Sequence, residues 1–343
     1  MLLINNLKTF IKKNAKICLF ISFCIICFFS LKIYYHTLPL PEKKWINSNL
    51  KNIRVKDQAY FSFAVFGGNK VGGHVFEGLL KQVDHDPDIA FAVDLGDAVL
   101  RGRKPHYHHL IKQIDNNLGI PFLTVMGDNE LSGEGRELYQ KIFGPLYYSF
   151  EIGRNYFIVL DNAGDIGPGQ EQIQWLENEL KKSGGYDSRI IFMHRPINDP
   201  AENKYNLVVP EENSEKLINL FLNYHVTHIF ASRVNGFYEG DLRGIPCTIT
   251  GGAGTASFHR RDRTSDFFHF LKMNVIKDKI DIEIKKVFLP GFDQMNRVKY
   301  GAMVYADNMI RVNWLECLLI TVILMFCIFY FIRKRKSGKK NEN

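Results

Sequence analysis

Five apolar runs of strand length, each closing on a glycine or a compact polar residue, constrain this chain more than anything else in it. Tyr60–Phe66 (YFSFAVF) runs into Gly67-Gly68, Ile89–Leu95 (IAFAVDL) into Gly96-Asp97, and Pro121–Met126 (PFLTVM) into Gly127-Asp128. Arg189–Met193 runs into His194-Arg195-Pro196, and Thr227–Phe230 into Ala231-Ser232-Arg233. Short, nearly continuous apolar runs of this kind suit strands buried on both faces. Between them, Val75–Val83, His106–Asn117, Gln170–Lys182 and Ser214–Tyr224 space their apolar residues as helices do. Tyr156–Leu160, Cys247–Thr250 and Ile280–Ile284 read as further strands. Strands alternating with helices predict an α/β domain around a largely buried sheet, with no internal repeat.

In open α/β sheets, ligands bind beyond the carboxyl ends of the strands. Glycines there let the backbone turn sharply and bring side chains to a common point. The residues so gathered include Lys70, Asp97, Asp128, Asn129, Glu130, His194, Arg195, Arg233 and Asn235. Other suggestive features carry less. His106, His108 and His109 do not share one helical face, because only residues three or four apart do. Gly67–Gly73 (GGNKVGG) lacks the Gly-Lys-Ser/Thr ending of a phosphate loop and does not match the dinucleotide fingerprint. Gly251–Gly254 reads as a turn, and the basic run His259–Arg263 as a solvated loop. No Ser/His/Asp or Cys/His nucleophile arrangement stands out.

The order of strand-end motifs resembles the calcineurin-like metallophosphoesterases. That family runs Asp-x-His, Gly-Asp, Gly-Asn-His-Asp/Glu, a lone His and Gly-His-x-His, each after a strand. The resemblance covers Ala59 to Phe288, and includes Tyr139–Phe150 (YQKIFGPLYYSF), the strand leading to Asp161-Asn162, and Ile249–Gly254 (ITGGAG). It implies a four-layer α/β/β/α sandwich and a phosphoric ester hydrolase using two metal ions.

Position by position, this chain departs from the pattern. The family's first Asp falls on Gly68 and its His on Lys70. Asp97 keeps the bridging Asp, and His194 the lone His. Asp128 replaces the ligand Asn, and Asn129 the His that assists the leaving group. The last two His fall on Arg233 and Asn235. The first metal position therefore keeps only Asp97. The second keeps Asp97, Asp128 and His194, a donor set suited to one zinc, iron or manganese ion, but adds Arg233. A guanidinium about 4 Å from a divalent ion costs roughly 8 kcal/mol at an effective dielectric near 20, before relaxation. Asn129 cannot donate a proton as His does, a loss typically worth about 100- to 10,000-fold. The expectation is a phosphoesterase fold with impaired catalysis, no resident cofactor or at most one divalent transition metal, and Lys70, Arg195 and Arg233 available to a phosphate-bearing ligand. The alternatives are an active one-metal phosphoesterase on Asp97, Asp128 and His194, and a structural subunit of a membrane complex with a membrane-protein partner.

Two segments stand apart. Ile17–Leu31 and Cys317–Ile332 are almost wholly apolar, somewhat short of the ~20 residues that cross a bilayer comfortably. Lys8, Lys12, Lys13 and Lys16 precede the first; six Lys and Arg residues from Arg333 to Lys340 follow the second, against Glu342. The positive-inside rule places both tails in the cytoplasm and the main domain on the other side. The bulky Lys32–His36 offers no signal-peptidase site, which favours an uncleaved anchor over a signal peptide. The tails account for the formal charge of +8 and leave the remainder near neutral, so the basic balance marks topology and not a nucleic-acid surface. Five of the six cysteines lie in or beside the apolar runs, leaving Cys247 alone in the main domain. The expected organisation is a basic tail (1–16), a membrane helix (17–35), a linker (36–56), the phosphoesterase domain (57–292), a connector (293–314), a second membrane helix (315–332) and a basic tail (333–343).

Overall fold

The computed structural model describes residues 15–40, 45–70, 72–165, 167–198, 208–254, 267–277, 279–287 and 297–340. The lysines at 8, 12 and 13 and the run His259–Arg263 lie outside them. The chain divides into two compact units, one from its two ends (Met1–Pro39 and Met309–Asn343) and one spanning Leu40–Asn308.

The larger unit is a mixed α/β domain with two sheets. The first has strand order β11-β10-β1-β2-β3, built from β1 (Tyr60–Phe66), β2 (Ile89–Asp94), β3 (Phe122–Thr124), β10 (His269–Ile276) and β11 (Lys279–Lys286). The second runs β4-β5-β6-β7-β9-β8, from β4 (Tyr148–Ile152), β5 (Asn155–Val159), β6 (Ser188–Phe192), β7 (His228–Ala231), β8 (Phe237–Leu242) and β9 (Ile245–Thr250). β1, β2 and β3 are parallel, as are β5, β6, β7 and β9.

Strand alternation assigns the layers. Along β5 and β6 and the residue after each, Phe157, Val159, Ile190 and Phe192 enter one apolar cluster, while Ile158, Leu160, Ile191 and Met193 enter another. Successive strand residues face opposite sides, so each strand serves two cores. Phenylalanines fill the space between the sheets: Phe63 stacks on Phe91 at 4.9 Å and meets Phe157 edge-on at 5.6 Å. The first cluster also takes in Val75, Phe76 and Leu79 of α3 (Gly73–Asp84) and Leu110 and Ile114 of α4 (Lys104–Asn117). The second takes in Leu176 and Leu180 of α6 (Gln170–Lys182) and Leu217 and Phe221 of α7 (Glu211–Asn223). The α5 helix (Gly135–Phe143) buries Tyr139 and Phe143 in the first cluster.

Several elements differ from the sequence reading. The stretch read as a linker contains α2 (Trp45–Asn52), whose Trp45 and Ile46 are buried. Trp45 Nε1 donates to the Phe122 carbonyl at 2.7 Å, and Asn49 Oδ1 accepts from the Phe122 amide at 2.9 Å. These bonds cover the open edge of β3, which would otherwise present unpaired backbone groups. β10 was not read as a strand because Lys272 and Asn274 interrupt its apolar pattern. Lys272 is 8% exposed; its ammonium reaches Asp86 at 2.8 and 2.9 Å and Asp88 at 3.1 Å. Burial raises the Asp86 pKa, but the bonds to Lys272 override it and hold the carboxyl below its ordinary 3.8. Lys272→Met is therefore expected to cost about 1–3 kcal/mol in urea titrations at neutral pH. The stability this carboxylate adds is complete above the unfolded value of 3.8 and is lost as pH falls through the lower folded value. The variant should accordingly show a shallower acid limb.

In the smaller unit, α1 (Ala15–Thr37) and α9 (Trp314–Lys340) lie side by side and antiparallel. Phe20 stacks on Phe326 at 4.3 Å, and Lys32 Nζ pairs with Glu316 Oε1 at 2.7 Å. The expected connector is largely helical, as α8 (Arg297–Val312). The expected pair of membrane-crossing helices is not supported helix by helix: among the described residues, no single helix is long and apolar enough to cross a membrane. Leu19–Tyr34 is a shorter apolar helix, and Tyr305–Val312 with Trp314–Tyr330 is long and apolar enough only as a bent pair. The polar and charged ends of both helices dilute their apolar stretches.

Candidate functional site

The loops after β1, β2, β3, β6 and β7 bring Lys70, Asp97, Asp128, His194, Arg195 and Arg233 together. Each follows a parallel strand at its carboxyl end, and close backbone contacts fix the loops. Gly127 is one such contact: a Cβ there would stand 2.1 Å from the Asp97 nitrogen and 2.5 Å from Glu130 Oε2. Asp97 itself has a positive φ of 57°, a left-handed conformation that Asp tolerates better than bulkier residues do.

Asp97 is buried and occupied on both oxygens. Oδ2 accepts from Lys70 Nζ at 2.9 Å, and Oδ1 accepts the Asn129 amide at 2.9 Å. His194 Nε2 stands 3.4 Å from Oδ1. Burial penalises the Asp97 charge, but His194, Lys70 and the Asn129 amide more than offset it and hold the carboxyl well below its usual range. Asn129 thus serves the site through its backbone, while its buried side-chain nitrogen has no hydrogen-bond partner among the described residues.

Asp128 is held by two arginines. Arg195 grips it with two parallel bonds, Nε to Oδ1 at 3.0 Å and Nη2 to Oδ2 at 2.8 Å. Arg233 Nε lies 2.5 Å from Oδ2, and its Nη1 lies 4.0 Å from Asp97 Oδ2. Arg233 therefore reaches both carboxylates. Arg195, only 4% exposed, also donates to Asp165 Oδ1 at 2.9 Å. Burial opposes the Asp128 charge, yet the Arg195 bonds and nearby positive charges depress its pKa.

His194 is fully buried between the sheets' strand ends. Its Nδ1 lies 2.8 Å from the Leu95 carbonyl, which only accepts, so Nδ1 carries the hydrogen and Nε2 keeps its lone pair in the neutral ring. Burial keeps the imidazole below its ordinary pKa against the pull of Asp97 and Asp128. Asn162 braces the loop: its Oδ1 accepts the His194 and Arg195 amides at 2.9 and 3.1 Å, and its Nδ2 donates to the Arg195 carbonyl at 2.7 Å.

Glu130 lies beside these cations at the strand ends. Its carboxylate accepts three backbone amides, from Asp97 at 3.0 Å, Val99 at 3.0 Å and Gly127 at 2.8 Å. Burial first, and the Asp97 charge second, push it up to about 8 against those donors. Asp165 escaped the sequence reading because a loop of glycines and a proline marks a turn and not a partner for Arg195. Gly68 contributes backbone only, its amide donating to the Gly96 carbonyl at 3.1 Å. Asn235 is half-buried on the loop two residues past Arg233.

With Lys70, Arg195 and Arg233 on its carboxylates, the donor set does not fit a metal ion. His194 keeps the tautomer of a ligand, with Nε2 turned to Asp97. Both Asp128 oxygens, however, face guanidinium groups, and Lys70 occupies Asp97. Among the described residues, no group of three or more His, Cys, Asp or Glu side chains is disposed to hold a metal.

No family model matches the chain. Over 94 residues, 27% of its length, it is 32% identical to probable purple acid phosphatase 20 of Arabidopsis thaliana, of which it covers 22%. Its fold matches that of a purple acid phosphatase from yellow lupin (Lupinus luteus) seeds, with a TM-score of 0.55 and 16% identity over 67% of this chain and 52% of that one. It also matches a dimetal phosphatase from Danio rerio, with a TM-score of 0.53 and 13% identity over 66% of this chain and 96% of that one. The chain thus spans about a fifth of the Arabidopsis protein and half of the lupin enzyme. The architecture is the calcineurin-like metallophosphoesterase fold.

Proposed function

We propose that this chain is a membrane-held protein of the metallophosphoesterase fold that does not hydrolyse esters by the two-metal route and acts by binding a ligand or partner. One observation carries this reading: Lys70 and Arg233 stand at positions where the family's pattern has metal ligands, already paired with Asp97 and Asp128. Two-metal hydrolysis needs ions to clamp the attacking and leaving oxygens and to generate hydroxide at neutral pH. Cationic side chains supply charge but no bound hydroxide. Lys70, Arg195 and Arg233 suit a phosphate-bearing ligand held without cleavage.

Anchoring rests on the smaller unit. Leu19, Phe23, Ile26 and Phe29 of α1, and Leu324, Met325, Ile328 and Phe329 of α9, are all exposed. Apolar side chains displayed along both helices call for lipid or protein cover, and the basic tails support a cytoplasmic side for both termini.

His194 favours a second reading, a single ion on Asp97, Asp128 and His194, because its Nε2 lone pair is that of a ligand. Nitrophenyl phosphate hydrolysis by purified full-length protein, with zinc, iron or manganese supplied, separates the two. The expected rate is at background and unchanged by Asp97→Ala. Turnover that Asp97→Ala abolishes would establish the one-metal enzyme.

A further inference from the structure

We infer that Arg233 and Lys70 are a resident substitute for a divalent ion, and that Arg233 is the residue that keeps such an ion out. The inference rests on the reading of the cleft given above and concerns what occupies it. Arg233 lies 2.5 Å from Asp128 Oδ2 and 4.0 Å from Asp97 Oδ2, so one guanidinium reaches both carboxylates, as a bridging ion would. Lys70 adds a second positive charge on the same Asp97 oxygen at 2.9 Å. Together they supply the two charges that a divalent ion brings.

The third cation is placed differently. Arg195 ties Asp128 to Asp165 and is almost wholly buried. It braces the loop after β6, whereas Arg233 is partly exposed and reaches both carboxylates. Removing the Arg233 charge leaves Asp97, Asp128 and Asp165 facing Lys70 and Arg195, three negative charges against two positive, with His194 Nε2 already turned toward Asp97. An imidazole in its place adds a nitrogen donor while removing the repulsion. A divalent ion would then find oxygen and nitrogen donors of the kinds zinc takes.

The experiment titrates zinc chloride into full-length wild type, Arg233→His and Arg233→Lys, reading stoichiometry by calorimetry and melting temperature with and without EDTA. Wild type is expected to show no saturable uptake and no response to EDTA. Arg233→His should take up one zinc per chain, at least about 100-fold more tightly than wild type, because a repelling unit charge beside the ion has gone. Its melting temperature should rise with zinc and fall with EDTA. Arg233→Lys keeps the charge and should behave as wild type. If Arg233→His folds only when zinc is present, as read by circular dichroism, that also supports the inference. If it folds under neither condition, Arg233→Gln decides: tighter zinc uptake than wild type supports the inference, and none overturns it. Saturable zinc uptake by wild type, or a folded Arg233→His with no gain, likewise overturns it. The functional reading fails separately: hydrolysis by metal-free wild type would break that reading alone, and zinc uptake without hydrolysis would break this inference alone.

Discussion

Asp128→Ala is expected to cost about 3–5 kcal/mol of folding stability, the scale of a broken buried ion pair. The loss comes less from the contacts removed than from what is stranded. Among the described residues Arg195 keeps only Asp165 as a carboxylate partner, and that residue's side chain is 81% exposed. Arg233 loses its nearer carboxylate and is left about 4 Å from Asp97. Urea midpoints at fixed slope measure the effect. Because the penalty is unpaired positive charge, Asp128→Ala/Arg233→Ala should recover part of it, and added phosphate should stabilise Asp128→Ala more than wild type. A loss below about 1 kcal/mol, the range of surface pairs, would show that the arginines rearrange freely and that the cleft is not a fixed ion-pair network.

Glu130→Ala is expected to be of similar size, about 3–5 kcal/mol, for a different reason. Its two oxygens satisfy three buried amides on the loops after β2 and β3. Each orphaned amide costs about 1–3 kcal/mol, with some relief where water enters. Glu130→Gln should cost roughly half as much, since its carbonyl oxygen still accepts two of the three while its NH₂ faces the third donor. Hydrogen exchange offers a local readout: the Asp97, Val99 and Gly127 amides should lose protection in Glu130→Ala. Unchanged protection at all three would contradict the role assigned to Glu130.

The strand ends were legible in the sequence because each is a local signal, an apolar run followed by a glycine or compact polar residue. Lys70, Asp97, Asp128, His194, Arg195 and Arg233 could be placed at one site from those signals. Their pairing was less legible. Which carboxylate meets which cation depends on contacts between residues far apart in the chain, such as Arg195 with Asp128, 67 positions away. Glu130 illustrates the limit: a carboxylate beside cations suggests an ion pair, yet backbone amides from a neighbouring loop claim it. α2 and β10 escaped for a related reason. Trp45 and Lys272 are held by long-range bonds, to Phe122 and to Asp86 and Asp88, that leave no periodic trace in their own segments.

Anomalous diffraction from crystals of the full-length protein grown with zinc and manganese tests the cleft most directly. The expected result is guanidinium density between Asp97 and Asp128, with no anomalous peak at the metal absorption edges. An anomalous peak about 2.0–2.2 Å from oxygens of Asp97 and Asp128 and from His194 Nε2, with Arg233 turned away, would contradict the account.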